Sequence, residues 1–177
     1  MQEAPALFPL RMSGPRWIFA ALLCFAWAPW ISAEPVRTAS EPYAFQVRVS
    51  LSEKAAATLQ HRSEGIVISA SYSGKPRPSA KQHADQVGQI ALGNQNVEIP
   101  GKPATVIVNG SSLKRGRLSW VHGPVLLNVN VYSARRSGPN NILACDFFDG
   151  RLRGAFRQPV QIHCSLIEEK AEVRHRS

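Results

Sequence analysis

The sequence predicts an all-β domain: a single β-sandwich, transthyretin-like or immunoglobulin-like, with one short helix after its first strand. Three observations predict it. The stretch Val125–Tyr132 (VLLNVNVY) puts Val125, Leu127, Val129 and Val131 on one face and Asn128, Asn130 and Tyr132 on the other, with Leu126 as an apolar exception. Alternation of β-branched residues at period two marks a half-buried strand. The same period recurs in seven to nine short runs, spaced too closely for βαβ crossovers, which need a dozen or more connecting residues. Finally, Cys145 lies in line with Leu143 and Phe147, and Cys164 with Val160, Ile162 and Leu166, so both thiols face the core from two late strands. A small barrel is the second architecture. The Cys…Trp…Cys order of antibody domains is missing, because Trp120 precedes both cysteines.

Taken in order, Ala44–Leu51 reads as a strand with Phe45, Val47, Val49 and Leu51 inward. Ser52 reads as an N-cap, Glu53 as an acid favoured by the helix dipole, and Glu53–His61 as a short helix anchored by Leu59. Ile66–Tyr72 is the next strand, and Ser73–Gln86 a long polar, basic loop with Lys75, Arg77, Lys81 and His83. Val87–Leu92 is a short strand closed by Gly93-Asn94, with Val97–Ile99 pairing back as a hairpin. Thr105–Asn109 is a strand ending in an Asn109-Gly110 turn. Leu113–His122 is a strand or a bent connection that buries Leu118, Trp120 and Leu113, and Gly123-Pro124 turns into Val125–Tyr132. After the polar turn Ser133–Asn141 come a strand at Ile142–Phe148, a reversal at Asp149-Gly150, one helical turn within Arg151–Arg157 and a last strand at Val160–Ile167.

The domain plan has four parts: a signal peptide at 1–33, a flexible lead at 34–42, the sandwich at 43–167 and a charged, fraying tail at 168–177. Arg11 and Arg16 form a basic n-region ahead of Trp17–Ala28, a dozen apolar residues too short to span a bilayer, and Ile31-Ser32-Ala33 fits a cleavage site. Met12 is an alternative start. Cys24 follows Leu23 rather than a small residue, so it reads as part of the apolar run rather than a lipid attachment site. Cleavage leaves 144 residues with 19 basic and 11 acidic side chains, a net +8 that favours anionic partners and says nothing of fold. Export to the periplasm or outside the cell makes a Cys145–Cys164 bond chemically reasonable; closing a loop of about 20 residues, it is worth roughly 3 kcal/mol.

The basic clusters are the strongest chemical feature. Lys114, Arg115 and Arg117, then Arg135 and Arg136, then Arg151 and Arg153 with Arg157, fall in turns or at strand ends. Turns converging from one end would make an anion-binding face for lipopolysaccharide phosphates, acidic cell-wall polymer, anionic phospholipid or an acidic protein. Nucleic acid is disfavoured, because it needs exposed aromatics for stacking and the chain is read as exported. Asp146 and Asp149 follow no calcium-loop register, and His61, His83, His122, His163 and His175 show no HExxH or HxH spacing. No GxSxG, P-loop or GxGxxG occurs. The sequence therefore implies no enzyme, no cofactor and no metal. Asn128 and Asn130, two amides in register, suit sugar hydroxyls or cross-strand pairing. Asn109-Gly110-Ser111 is a glycosylation sequon, meaningful only in a eukaryotic secretory route.

Ile68–Gly74 with Ala84-Asp85, Ile90–Gly93 and Asn130–Ser133 resembles uncharacterised exported bacterial β-sandwich proteins of no known activity. The resemblance covers much of the domain and carries over no site. The expected function is an exported, non-enzymatic protein that binds an anionic envelope component through its basic loops. The alternatives are an envelope assembly or inhibitor protein that recognises a protein partner, and a hydrolase built from Asp85, Asp146 and the histidines.

Overall fold

The computed structural model describes residues 42–177. The signal peptide expected at 1–33, with Cys24, and residues 34–41 of the lead lie outside the described residues. Strands dominate the rest, in two mixed sheets with few helices.

Strand β1 (Phe45–Leu51) buries Phe45, Val47 and Val49 and exposes Gln46, Arg48 and Ser50, as its alternation requires. Helix α1 (Glu53–His61) has the expected limits. The Ser52 Oγ accepts from the Ala55 N–H at 3.0 Å, which satisfies a donor the helix itself cannot and is worth about 1 kcal/mol. Two turns alone would not persist; burial of Ala55 and Leu59 fastens them, Leu59 contributing about 2 kcal/mol.

The remaining elements are β2 (Gly65–Pro76), β3 (Ile90–Pro100), β4 (Ala104–Val108), β5 (Val121–Ser133), β6 (Leu143–Cys145), β7 (Phe147–Arg151), α2 (Leu152–Ala155), β8 (Val160–Leu166) and β9 (His175–Arg176). One sheet runs β4-β1-β8-β6, antiparallel except for β1 beside β8. The other runs β3-β2-β5-β7-β9, antiparallel except for β7 beside β9. One buried cluster draws Val47, Val49 and Ile162 from the first sheet and Ile68, Leu127 and Val129 from the second. Among the described residues, no helix is long and apolar enough to cross a membrane.

Several expected boundaries fall elsewhere. The loop expected at Ser73–Gln86 is shorter, because β2 continues to Pro76 and Pro78–His83 forms a 3₁₀ helix with proline in its first turn. The hairpin expected around Gly93-Asn94 is one continuous strand, β3. Gly93, at φ +144°, marks a register shift opposite Tyr72 and Ser73, and a Cβ there would stand 2.2 Å from the Ser112 carbonyl oxygen. Gly123-Pro124 likewise lies inside β5, beside a second shift between Ser73 and Lys75. Leu113–His122 holds a 3₁₀ helix at Arg115–Trp120. The single strand expected at Ile142–Phe148 is two strands in different sheets, with the chain crossing at Asp146, and Asp149-Gly150 pairs within β7 rather than reversing.

The disulfide joins Cys145 to Cys164, which stand directly opposite in the β6–β8 register with Cα atoms 4.0 Å apart. Residues 168–177 do not fray throughout: Asp146 accepts from the Arg174 N–H at 2.8 Å and from the Arg176 guanidinium at 3.0 Å, which lays β9 against β7.

Candidate functional site

Strand register fixes where each basic cluster stands. Arg115 and Arg117 lie on the 3₁₀ helix that leads into β5, with Lys114 just before it. Arg151 sits opposite Leu126, in the first half of β5, and Arg153 follows on α2. Arg135 and Arg136 lie just past Ser133, the far end of β5. Twelve steps of about 3.3 Å separate the ends of that strand by roughly 40 Å. Lys114, Arg115, Arg117, Arg151 and Arg153 therefore gather at one end of the five-stranded sheet, and Arg135 and Arg136 at the other.

At the far end the charges are engaged. Arg136 Nε bonds Glu98 Oε1 at 2.6 Å, and the Arg135 guanidinium lies 5.9 Å from the Tyr132 ring centroid. Below them Glu64 is buried yet ionised. Burial pushes its carboxyl up, but donors from Ser137 Oγ, Ser137 N, Arg136 N and Gly65 N outweigh that and hold it at about 2. This knot ties the Ser133–Asn141 loop to the start of β2.

At the near end, arginines line two adjoining grooves. The first, about 470 Å³, has Arg77 and Arg153 among apolar walls that include Tyr43, Leu118, Val125 and Phe156. The second, about 510 Å³, has Arg151, Arg153 and Arg157. Arg153 and Pro124 belong to both, and among the described residues no aspartate or glutamate lines either. Arg77 is held in place by its backbone, whose N–H donates to the Trp120 carbonyl at 2.8 Å. Phe156 is 44 % exposed at the groove edge. Beside the grooves, Arg115 lies 5.8 Å from the Tyr43 ring centroid. Arg117 lies 5.7 Å from the Trp120 centroid and donates to the Ala91 carbonyl, and His83 stacks on Trp120 at 4.2 Å.

Sequence reasoning passed over Arg77 as one of several cations in a supposed loop. The Arg77-Pro78 dipeptide was the available signal, since proline favours the first turn of a helix and fixes the residue before it in extended backbone.

Asp146, Asp85 and His163 are otherwise occupied. Asp146 holds Arg174 and Arg176, while Asp85 Oδ1 accepts from the Val87 and Gln89 N–H groups of its own loop. His163 points away from the disulfide and bonds Ser50. Among the described residues, no group of three or more His, Cys, Asp or Glu could hold a metal ion. No protein-family model matches the chain, no curated protein matches it and no solved structure matches it.

Proposed function

We propose that this is an exported, non-enzymatic domain that binds an anionic component of a cell envelope at the near end of its five-stranded sheet. One observation carries the reading: Arg77, Arg151, Arg153 and Arg157 line two grooves that share Arg153 and, among the described residues, hold no carboxylate side chain. Guanidinium groups match phosphate and carboxylate oxygens in planar, two-pronged geometry, and clustered positive charge concentrates anions around it. The Cys145–Cys164 bond supports an oxidising compartment, periplasmic or secreted. Within this reading the two sheets stack face to face as one sandwich, supported by the buried cluster that draws on both.

The test is sedimentation with three probes: lipopolysaccharide, peptidoglycan, and vesicles containing phosphatidylglycerol. Binding at low salt that weakens steeply as salt rises supports the proposal. Failure to bind all three at low salt removes it.

A second reading has its own observation. Among the described residues strand β4 pairs only with β1, and Ile107 on it is 64 % exposed, so this sheet edge suits addition of a partner's strand. Capture of an envelope protein that is lost on Ile107→Lys, and unaffected by salt, would favour this assembly or inhibitor role.

A further inference from the structure

The outer face of the five-stranded sheet breaks a local rule. Asparagine and aspartate are depleted in strands, where their short polar side chains pack poorly and compete for backbone hydrogen bonds. Here Asn94 and Asn96 sit inside β3, Asn128 and Asn130 inside β5, and Asp149 inside β7. Sites that sacrifice local fitness without a packing return are where function is expected.

Register assembles these residues into rows. Asn94, Ser71, Asn128 and Asp149 stand side by side across four strands. Asn96, Ser69 and Asn130 form the next row. Strands lie about 4.8 Å apart, and the rows, two residues apart along each strand, about 6.6 Å. Asn94, Asn96, Asn130 and Asp149 are exposed, and Asn128, Ser69 and Ser71 are half-buried.

Hydrogen bonds within and between the rows orient the amides without exhausting them. Asn94 Nδ2 donates to Ser71 Oγ at 2.8 Å and Ser69 Oγ at 3.3 Å, and Asn130 Nδ2 donates to Asn128 Oδ1 at 2.5 Å. Among the described residues Asn94 Oδ1, Asn128 Nδ2, Asn130 Oδ1 and the whole Asn96 amide have no hydrogen-bond partner. Donors and acceptors thus alternate across the sheet face. Tyr132 stands two residues beyond Asn130 on the same face, half-buried and opposite Val67.

We propose that this face is a platform for a neutral glycan chain. Charge selects the occupant. The chain carries +9, yet the two rows themselves contain no basic side chain and one acid, Asp149. Glu98, at the rim, is neutralised by Arg136. A sugar hydroxyl is donor and acceptor at once, which is what alternating amide groups require. The Tyr132 ring, with the Arg135 guanidinium 5.9 Å from its centroid, borders the rows and is not part of the platform. Arg151 of the second groove stands one row beyond Asp149 on the same face, at the border of the platform, and the proposal does not rest on the grooves.

The experiment is nuclear magnetic resonance of nitrogen-15-labelled protein titrated with cellohexaose, chitohexaose and maltohexaose at millimolar concentration. At least one should shift the side-chain amide signals of Asn94, Asn96, Asn128 and Asn130 together. Threonine suits strands, so Asn128→Thr with Asn130→Thr should melt no lower than the parent while affinity falls by at least about tenfold. The proposal is overturned if no hexasaccharide shifts those signals, if the shifts lie on another face, or if the double variant binds like the parent.

Discussion

Glu64 and Ser137 are bonded twice across 73 residues of chain: one carboxylate oxygen accepts from the Ser137 N–H at 2.8 Å and from its hydroxyl at 2.6 Å. The other oxygen accepts from the Arg136 and Gly65 N–H groups. A carboxylate held at about 2 in the fold and 4.5 when free contributes stability that is complete above pH 4.5 and disappears as pH falls toward 2. Glu64→Gln, which sets an amide against several donors, should cost about 2–3 kcal/mol at neutral pH. Urea unfolding at a series of pH values checks this: the gap between parent and variant should close as the solution is acidified.

The disulfide closes a loop that contains both the crossing between sheets at Asp146 and helix α2. Removing it frees that segment in the unfolded chain. Cys145→Ala with Cys164→Ala should cost about 3 kcal/mol. Thermal melts with and without reductant should show the parent falling to the variant's melting temperature, and the variant unaffected.

Tyr72 is 2 % exposed, its hydroxyl has no hydrogen-bond partner among the described residues, and burial pushes its phenol up to about 12. A desolvated, unpaired hydroxyl is a net cost. Tyr72→Phe keeps the ring and removes the cost, so it should stabilise the fold by about 1 kcal/mol, or roughly 3 °C in the melt. A lower melting temperature would count against the assigned environment.

What was legible in the sequence is what local physics decides. Strand β1 and helix α1 were read to within one residue, because alternation, the Ser52 cap and the Leu59 anchor are signals within a few positions of each other. The disulfide pair was legible because both cysteines fall in phase with core residues. Gly93 and Gly123 misled because a glycine that ends a strand and one that bulges it look alike. Gly93 is glycine because the Ser112 carbonyl passes over it, a contact that no window of sequence contains. The crossing at Asp146 was hidden because Leu143–Phe148 alternates well enough for one strand. Only pairing with β8 and then β5 divides it. The basic clusters were legible as clusters, but which end each occupies depends on the partner of β5.

Asp146 is the hinge of that crossing. Burial pushes its carboxyl up, but the Arg174 N–H and the Arg176 guanidinium outweigh it and hold the group below the usual aspartate range. Asp146→Asn keeps the size and removes the charge. Hydrogen exchange should then accelerate at Phe147, whose N–H donates to the Arg174 carbonyl, and through β9, while β1 and β8 keep their protection. Uniform loss across both sheets would mean that Asp146 supports the whole fold rather than the tail.

The arginines at the two ends of β5 make the sharpest comparison. Arg77→Ser with Arg153→Ser removes both cations of the first groove, and Arg135→Ser with Arg136→Ser removes two from the opposite end. Each pair lowers the net charge equally, so non-specific attraction to an anionic vesicle falls equally. A built site at the near end predicts unequal losses: about tenfold or more for the Arg77 and Arg153 pair, and a few-fold for the other. Arg136 is already neutralised by Glu98, which weakens its claim further. All four side chains are exposed, so both variants should melt within about 0.5 kcal/mol of the parent. Equal losses in vesicle binding would reduce the grooves to ordinary surface charge.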